Sequence, residues 1–341
     1  MNIQELFQLL NSKPSSELFG KKGKKHSNYA KFSIVCHPDK NPGNKDAEKC
    51  FKLLEQKVLE STTGIKITSK STEYEIERDF LAEGNISRIY RTVDKKYLLK
   101  ISHNDKYISF MNNEYEVLKK ITPDPVEKPV LYNSIANIHD SFTLRVKNRS
   151  KRKVNVFHYD PECVTLHRIK SKYPNGLVGG PNDEYGRNFA TIFKRILLSL
   201  TVVHKEGYIH GAVIPEHYIF HPVNRFGKLV DFIHAVPIGE PVKAKVPNKK
   251  FYPPEILNGE PVTTESDIYM AGKVAIHLLG GNLSSNFVPR EVPSRISGFI
   301  RALLIEKQNR RPNDAWQLHQ DFSEVLKKVY GPPEYVKLTG V

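Results

Sequence analysis

The sequence predicts an α+β protein in at least two folded units: a small helical block, then a strand-rich stretch, then a helix-rich one. Three observations carry this. The 341 residues exceed the one to two hundred usual for a single compact core. Hydrophobic residues make up 39% and charged residues 26%, ordinary globular usage that argues against wholesale disorder. The apolar spacing also changes along the chain, from helical near the N-terminus to alternating over about 74–160 and back to helical beyond 183. No internal repeat is visible.

Taken in order, residues 3–10 place Ile3, Leu6, Phe7 and Leu10 at helical spacing, and 29–35 continue that pattern with Phe32 and Ile34. Two helices are therefore expected before residue 37. A third spans about 45–60, with Phe51, Leu54 and Val58 on one face and lysines and glutamates on the other. Residues 61–72 are rich in Ser, Thr and Lys without a sustained apolar face, which places a linker there. Strands dominate 74–160, broken by a helix over 108–121 that carries Phe110, Tyr115 and Leu118. Helices at 188–204 and 267–279 lead the C-terminal part, and 331–341 reads as a tail.

Charge and cysteine usage narrow the class. Lys and Arg number 52 against 37 Asp and Glu, a net charge of +15, which favours an acidic protein surface, nucleic acid or anionic lipid as partner. Residues 1–70 hold 13 lysines and seven acids, with a glycine-broken run at Lys21, Lys22, Lys24 and Lys25. A second run, Lys147, Arg149, Lys151, Arg152 and Lys153, reads as a solvated hairpin turn between strands ending at Val146 and beginning at Val154. No nucleic-acid motif accompanies either run, so nucleic acid is not the favoured partner. The three cysteines, Cys36, Cys50 and Cys163, fit neither a disulfide framework nor a zinc site and read as reduced thiols in a cytoplasm-like compartment. The apolar run at 196–203 is too short to cross a bilayer, and the first residues carry no signal-peptide pattern. No membrane insertion is expected.

The break between the second and third helices reads His37, Pro38, Asp39, Lys40, Asn41, Pro42, Gly43. With a basic helix before it and an amphipathic helix after it, the segment resembles the second helix and loop of a J domain, the DnaJ-type co-chaperone module. The resemblance covers roughly 1–60. It implies that His37, Pro38 and Asp39 sit in an exposed loop and contact a DnaK-type chaperone, triggering its ATPase, while Lys21, Lys22, Lys24, Lys25 and Lys31 steer that acidic partner. The long lysine-rich loop, and Cys36 where the family usually has an aromatic residue, resemble divergent viral J domains, which would place the protein in a host cytoplasm. Read from the residues alone, the same segment is an ordinary turn in which proline fixes φ and aspartate caps the next backbone.

From residue 73 to about 330 the order of landmarks resembles the eukaryotic-type protein kinase fold, implying a bilobal domain with a strand-rich N-lobe (about 73–160) and a helical C-lobe (about 161–330). Residues 80–90 are similar to the glycine-rich phosphate-covering hairpin, with Gly84 kept and Ala82 and Ser87 at the other glycine positions. Lys100 looks like the phosphate-binding lysine, with Glu114 placed to pair with it. Residues 208–219 match the catalytic loop in frame, but with its chemistry removed. Ala212 stands where an aspartate should accept the substrate proton, Ile214 where a lysine should neutralise phosphate, and His217 where an asparagine should hold magnesium. Asp231 and Phe232 resemble the metal-binding Asp-Phe-Gly turn with Ile233 in place of glycine, and an isoleucine resists φ > 0. His210, Glu255, Asp267 and Arg311 match architectural positions. Between Asp231 and Tyr252 there is no Ser, Thr or Tyr, so phosphorylation cannot act within that interval.

The resemblances imply a co-chaperone whose pseudokinase binds a client or partner. Gly84, Ser87, Lys100, Glu114 and Asp231 would hold ATP weakly, with Asp231 on magnesium. Two alternatives follow: a divergent phosphoryl or nucleotidyl transferase that kept Lys100, Glu114 and Asp231 and uses another base, and a basic scaffold that binds nucleic acid or lipid, recognisable by steep salt dependence.

Overall fold

The computed structural model describes residues 1–19, 24–62, 64–146, 150–180, 183–243 and 248–340. The fold is mixed α+β with antiparallel sheets. The chain forms two compact units, Met1–Asp105 with Phe142–Tyr159, and Lys106–Ser141 with Asp160–Val341.

The first unit opens with four helices: α1 (Ile3–Ser12), α2 (Ser15–Phe19), α3 (Lys24–Cys36) and α4 (Lys45–Thr62). A capping box starts α1, where Asn2 Oδ1 accepts from the Glu5 amide and the Glu5 carboxylate accepts from the Asn2 amide, both at 2.9 Å. Asn44 caps α4 by accepting from the Asp46 and Ala47 amides. Three helices therefore precede residue 37 where the apolar spacing predicts two. The extra one, α2, is a single turn too short to show a period, yet it buries Leu18 and Phe19 against Phe32, Cys36 and Leu54. Cys36 and Cys50 are both fully buried in this core. Burial, reinforced by the neighbouring Cys50 thiol, pushes the Cys36 thiol up to about 12.

The stretch expected to be a linker contains a strand. β1 (Ile65–Thr68) pairs antiparallel with β2 (Glu73–Ile76), Ile67 opposite Tyr74. Only Ile65 and Ile67 supply its apolar alternation, too few to stand out from the Ser, Thr and Lys around them. Next come β3 (Ala82–Glu83), β4 (Ser87–Arg91), β5 (Tyr97–Ser102), β6 (Ile138–Arg145, in this unit from Phe142) and β7 (Lys151–His158), a five-stranded sheet in the order β3-β4-β5-β7-β6. Leu99, Ile101, Val154 and Val156 bury one face with Ile67, Tyr74 and Ile76. β7 begins at Lys151, three residues before the strand start expected at Val154. Its edge is fixed by the Lys151 amide donating to Asp105 Oδ1 at 2.7 Å and the Lys153 amide donating to Ser102 Oγ at 3.0 Å. Lys151, Arg152 and Lys153 are thus strand residues rather than turn residues, and Lys147 and Arg149 lie outside the described residues.

The second unit comprises α5 (Ile108–Ile121), α6 (Pro129–Tyr132), β8 (Val164–Thr165), α7 (Leu166–Lys172), α8 (Glu184–Lys205), β9 (Tyr208–Ile209), β10 (Tyr218–Phe220), β11 (Gly227–Leu229), β12 (Val236–Pro237), α9 (Pro254–Asn258), α10 (Thr264–Leu278), α11 (Ser294–Leu303) and α12 (Ala315–Tyr330). Two small antiparallel sheets, β11-β10-β8 and β12-β9, lie among the helices. Helix α8 packs against α10 and α12, and the Phe193 and Phe322 rings meet edge to face at 5.1 Å inside that contact. Helix α10 is buried along nearly its whole length. Among the described residues no helix is long and apolar enough to cross a membrane.

Candidate functional site

Two groups of sequence-predicted residues assemble locally, one in each unit. In the first unit, α3 ends at Cys36 and the chain turns through Pro38–Lys40, a single 3₁₀ turn, before α4 begins. Proline at the first turn position fits because its missing N–H would have no partner there. His37 Nδ1 accepts from the Asp39 amide at 3.2 Å and lies 3.6 Å from Asp39 Oδ2. The His37 ring packs edge-on against Phe51 of α4 at 5.1 Å. Asn41 locks the turn by donating from Nδ2 to the carbonyls of Val35 and His37. The Asp39 side chain is left 88% exposed. A fixed backbone thus holds out an exposed carboxylate, an arrangement suited to a charged contact with another molecule. Lys31 is exposed on α3. Lys21 and Lys22 lie outside the described residues, as do the side chains of Lys24 and Lys25.

Also in the first unit, Gly84 sits in the turn joining β3 to β4, its amide donating to the Ser87 carbonyl at 2.9 Å and its carbonyl meeting His103 Nε2 at 2.8 Å. Ser87 is buried on β4 opposite Ser102, and Lys100 is buried on β5 opposite Ile89.

The second unit gathers the remainder. Glu114 of α5 is fully buried and its Oε1 accepts from the Phe232 amide at 3.1 Å. Asp231 adopts φ 67° and ψ 65°, and Phe232–His234 follow as a 3₁₀ turn. The left-handed residue is thus the aspartate, which tolerates it, and not Ile233. His217 faces both sides of this turn: Nδ1 donates to the Ala212 carbonyl at 2.9 Å, and Nε2 lies 3.2 Å from Asp231 Oδ2. His217 Nε2 thus lies beside the oxygen that a magnesium ion would need, and no sequence spacing signals that contact. Ala212 and Ile214 are buried.

The architectural positions form two buried networks. Asp267 accepts from the amides of His210 at 2.8 Å and Gly211 at 2.9 Å, and from His204 Nε2 at 3.0 Å. His210 Nε2 donates to the Val230 carbonyl at 3.0 Å, and burial lowers this imidazole to about 4. Arg311 forks onto Glu255 at 2.6 and 3.2 Å, and Ser266 Oγ donates to the same carboxylate at 2.8 Å. Among the described residues no three His, Cys, Asp or Glu side chains gather as a metal site.

No protein-family model matches this chain.

Proposed function

We infer that the chain is a J-domain-type co-chaperone whose first 60 residues stimulate the ATPase of a DnaK-type chaperone, joined to a catalytically inactive kinase-like domain that binds a client or partner. The observation that carries this reading is the rigid turn between α3 and α4, which exposes Asp39 while His37 and Asn41 hold the backbone from beneath. The exposed Lys31 adds the charge that an acidic partner would meet. The order of elements supports the kinase-like part: a five-stranded antiparallel sheet, a helix carrying buried Glu114, a loop leading to Asp231, and a buried Glu255 to Arg311 pair.

The test is the steady-state ATPase rate of a DnaK-type chaperone with the full chain. The wild-type chain raises the rate and a folded Asp39→Asn variant does not; equal stimulation by both overturns the reading.

A second reading, a divergent transferase, is favoured by the survival of Lys100, Glu114 and Asp231. Against it stand Ala212, which can accept no proton, and His217, which covers the Asp231 carboxylate. Weak binding of ATP with magnesium fits both readings. Asp231 would hold the metal and Lys100 the phosphates, and the bound nucleotide would add about 2.7 kcal/mol of stability at a hundredfold excess over Kd. A thermal shift with ATP and magnesium that is lost in Asp231→Asn supports binding. Transfer of labelled phosphate to a peptide mixture, abolished by Lys100→Met, promotes the transferase.

A further inference from the structure

Helices α8 and α12 of the second unit, with α6 and the segment that follows Tyr330, enclose a half-open cleft of about 710 Å³. Its floor is apolar, with Leu131, Ala190, Leu198 and Leu326, and its walls carry Arg187, Lys194, Arg195 and Lys327. The carboxylates among its lining residues are Glu324 and Glu334. A second cleft of about 240 Å³ shares Val130, Arg195 and Leu198 with the first, so the two adjoin. At the rim Trp316 stacks flat on His319, ring centroids 5.3 Å apart, and remains 47% exposed beside Val130, also exposed.

The electrostatics of this groove are unbalanced. Burial lowers Lys194, and the neighbouring Arg195 lowers it further. Burial also takes His319 down to about 4, with Lys194 and Arg195 adding to the effect. His319 Nδ1 is buried without a hydrogen-bond partner among the described residues. Cations crowd one another here, and among the described residues no carboxylate forms an ion pair with Lys194, surroundings that an incoming anion would relieve. The chain itself shows what such a wall accepts. Its segment after α12 places Glu334 3.6 Å from Arg187, and Tyr335 Oη donates to the Val223 carbonyl at 3.3 Å.

We propose that this groove docks a short acidic peptide segment of a partner protein, its carboxylates on Lys194 and Lys327 and an apolar side chain on the floor against Trp316. The exposed tryptophan and the adjoining cations match the aromatic and arginine-rich anchors that dominate peptide interfaces. The proposal deepens the partner-binding role given above to the kinase-like domain, and rests on it.

Trp316 is the single tryptophan of the chain, so its fluorescence reads the groove directly. The full chain, without any chaperone, is titrated with a dodecapeptide of glutamate and leucine and with its lysine and leucine counterpart. The acidic peptide is expected to give a saturable change that weakens several-fold at 0.5 M salt, while the basic peptide gives none. Lys194→Glu with Lys327→Glu is expected to raise Kd by at least about tenfold, as loss of two partly desolvated charge contacts would. Lys194→Gln serves if the double variant melts early. No response up to millimolar acidic peptide, an equal response to the basic one, or a response unmoved by the substitutions overturns the proposal, as does a response to palmitate alone. Asp39→Asn leaves this titration unchanged whether or not it abolishes ATPase stimulation, so failure of the docking site and failure of the co-chaperone reading are separable.

Discussion

Histidine and aspartate meet in both units of this molecule, with opposite surroundings. In the turn after α3, His37 receives a backbone N–H and Asp39 points into solvent. In the first turn of α10, Asp267 is fully buried and takes three N–H donors, from His204, His210 and Gly211. The first carboxylate is held out in solvent, whereas the second joins the β9 segment to the start of α10. A buried carboxylate with all its partners internal belongs to architecture, and an exposed one on a locked turn is free for intermolecular work. The Asp231 carboxylate stands between them, partly exposed and already engaged by His217.

Four measurements would break or sharpen this contrast. Glu255→Ala should have the largest effect, because it leaves the Arg311 guanidinium buried without its carboxylate. A loss of about 3–5 kcal/mol in denaturant unfolding is expected, and a loss below 1 would remove the pair from the architectural class. Asp267→Asn places an amide donor against N–H groups that need an acceptor, at a cost of about 2–4 kcal/mol, read the same way. Acid should act next. His210 and His319 are held neutral down to about 4 in the folded chain, whereas the unfolded chain takes up their protons near 6.5. The unfolded state therefore binds more protons between pH 6.5 and 4, and stability falls as pH drops through that window, by up to about 1.4 kcal/mol per pH unit for fully buried His210 and by less for the half-buried His319, whose charge solvent screens. His319→Gln should flatten the slope of unfolding free energy against pH, and an unchanged slope would contradict the assignment. The smallest stability effect belongs to Asp39→Asn, within about 0.5 kcal/mol, although the same substitution removes ATPase stimulation. A large loss of stability there would collapse the distinction.

Legibility in the sequence followed element length and contact range. The helix expected over 108–121 is α5 to the residue, because fourteen residues with a clear apolar face leave little choice. A single turn such as α2 or a four-residue strand such as β1 offers too few positions for a period to register. The turn at His37 was readable because its parts are consecutive. The contact of His217 with Asp231 was not, since fourteen residues and a strand pair separate them and only side-chain geometry brings them together. The α8 and α12 groove lies further out of reach: Arg187 and Trp316 belong to helices more than a hundred residues apart. A local trace did exist, with Arg187, Lys194 and Arg195 spaced to share one face of α8, and Trp316, His319, Ser323, Lys327 and Tyr330 forming a stripe along α12.

The two buried thiols behind the His37 turn turn the first unit into its own clock. Cys36 and Cys50 have no exposed surface, so an alkylating reagent can reach them only while α3 and α4 part. Cys163, in the second unit, is partly exposed and so can react without any opening, which makes it an internal reference. Trapping rates at Cys36 and Cys50 against that reference would therefore time the opening of the first unit within one sample, without a label on any surface that a partner might use.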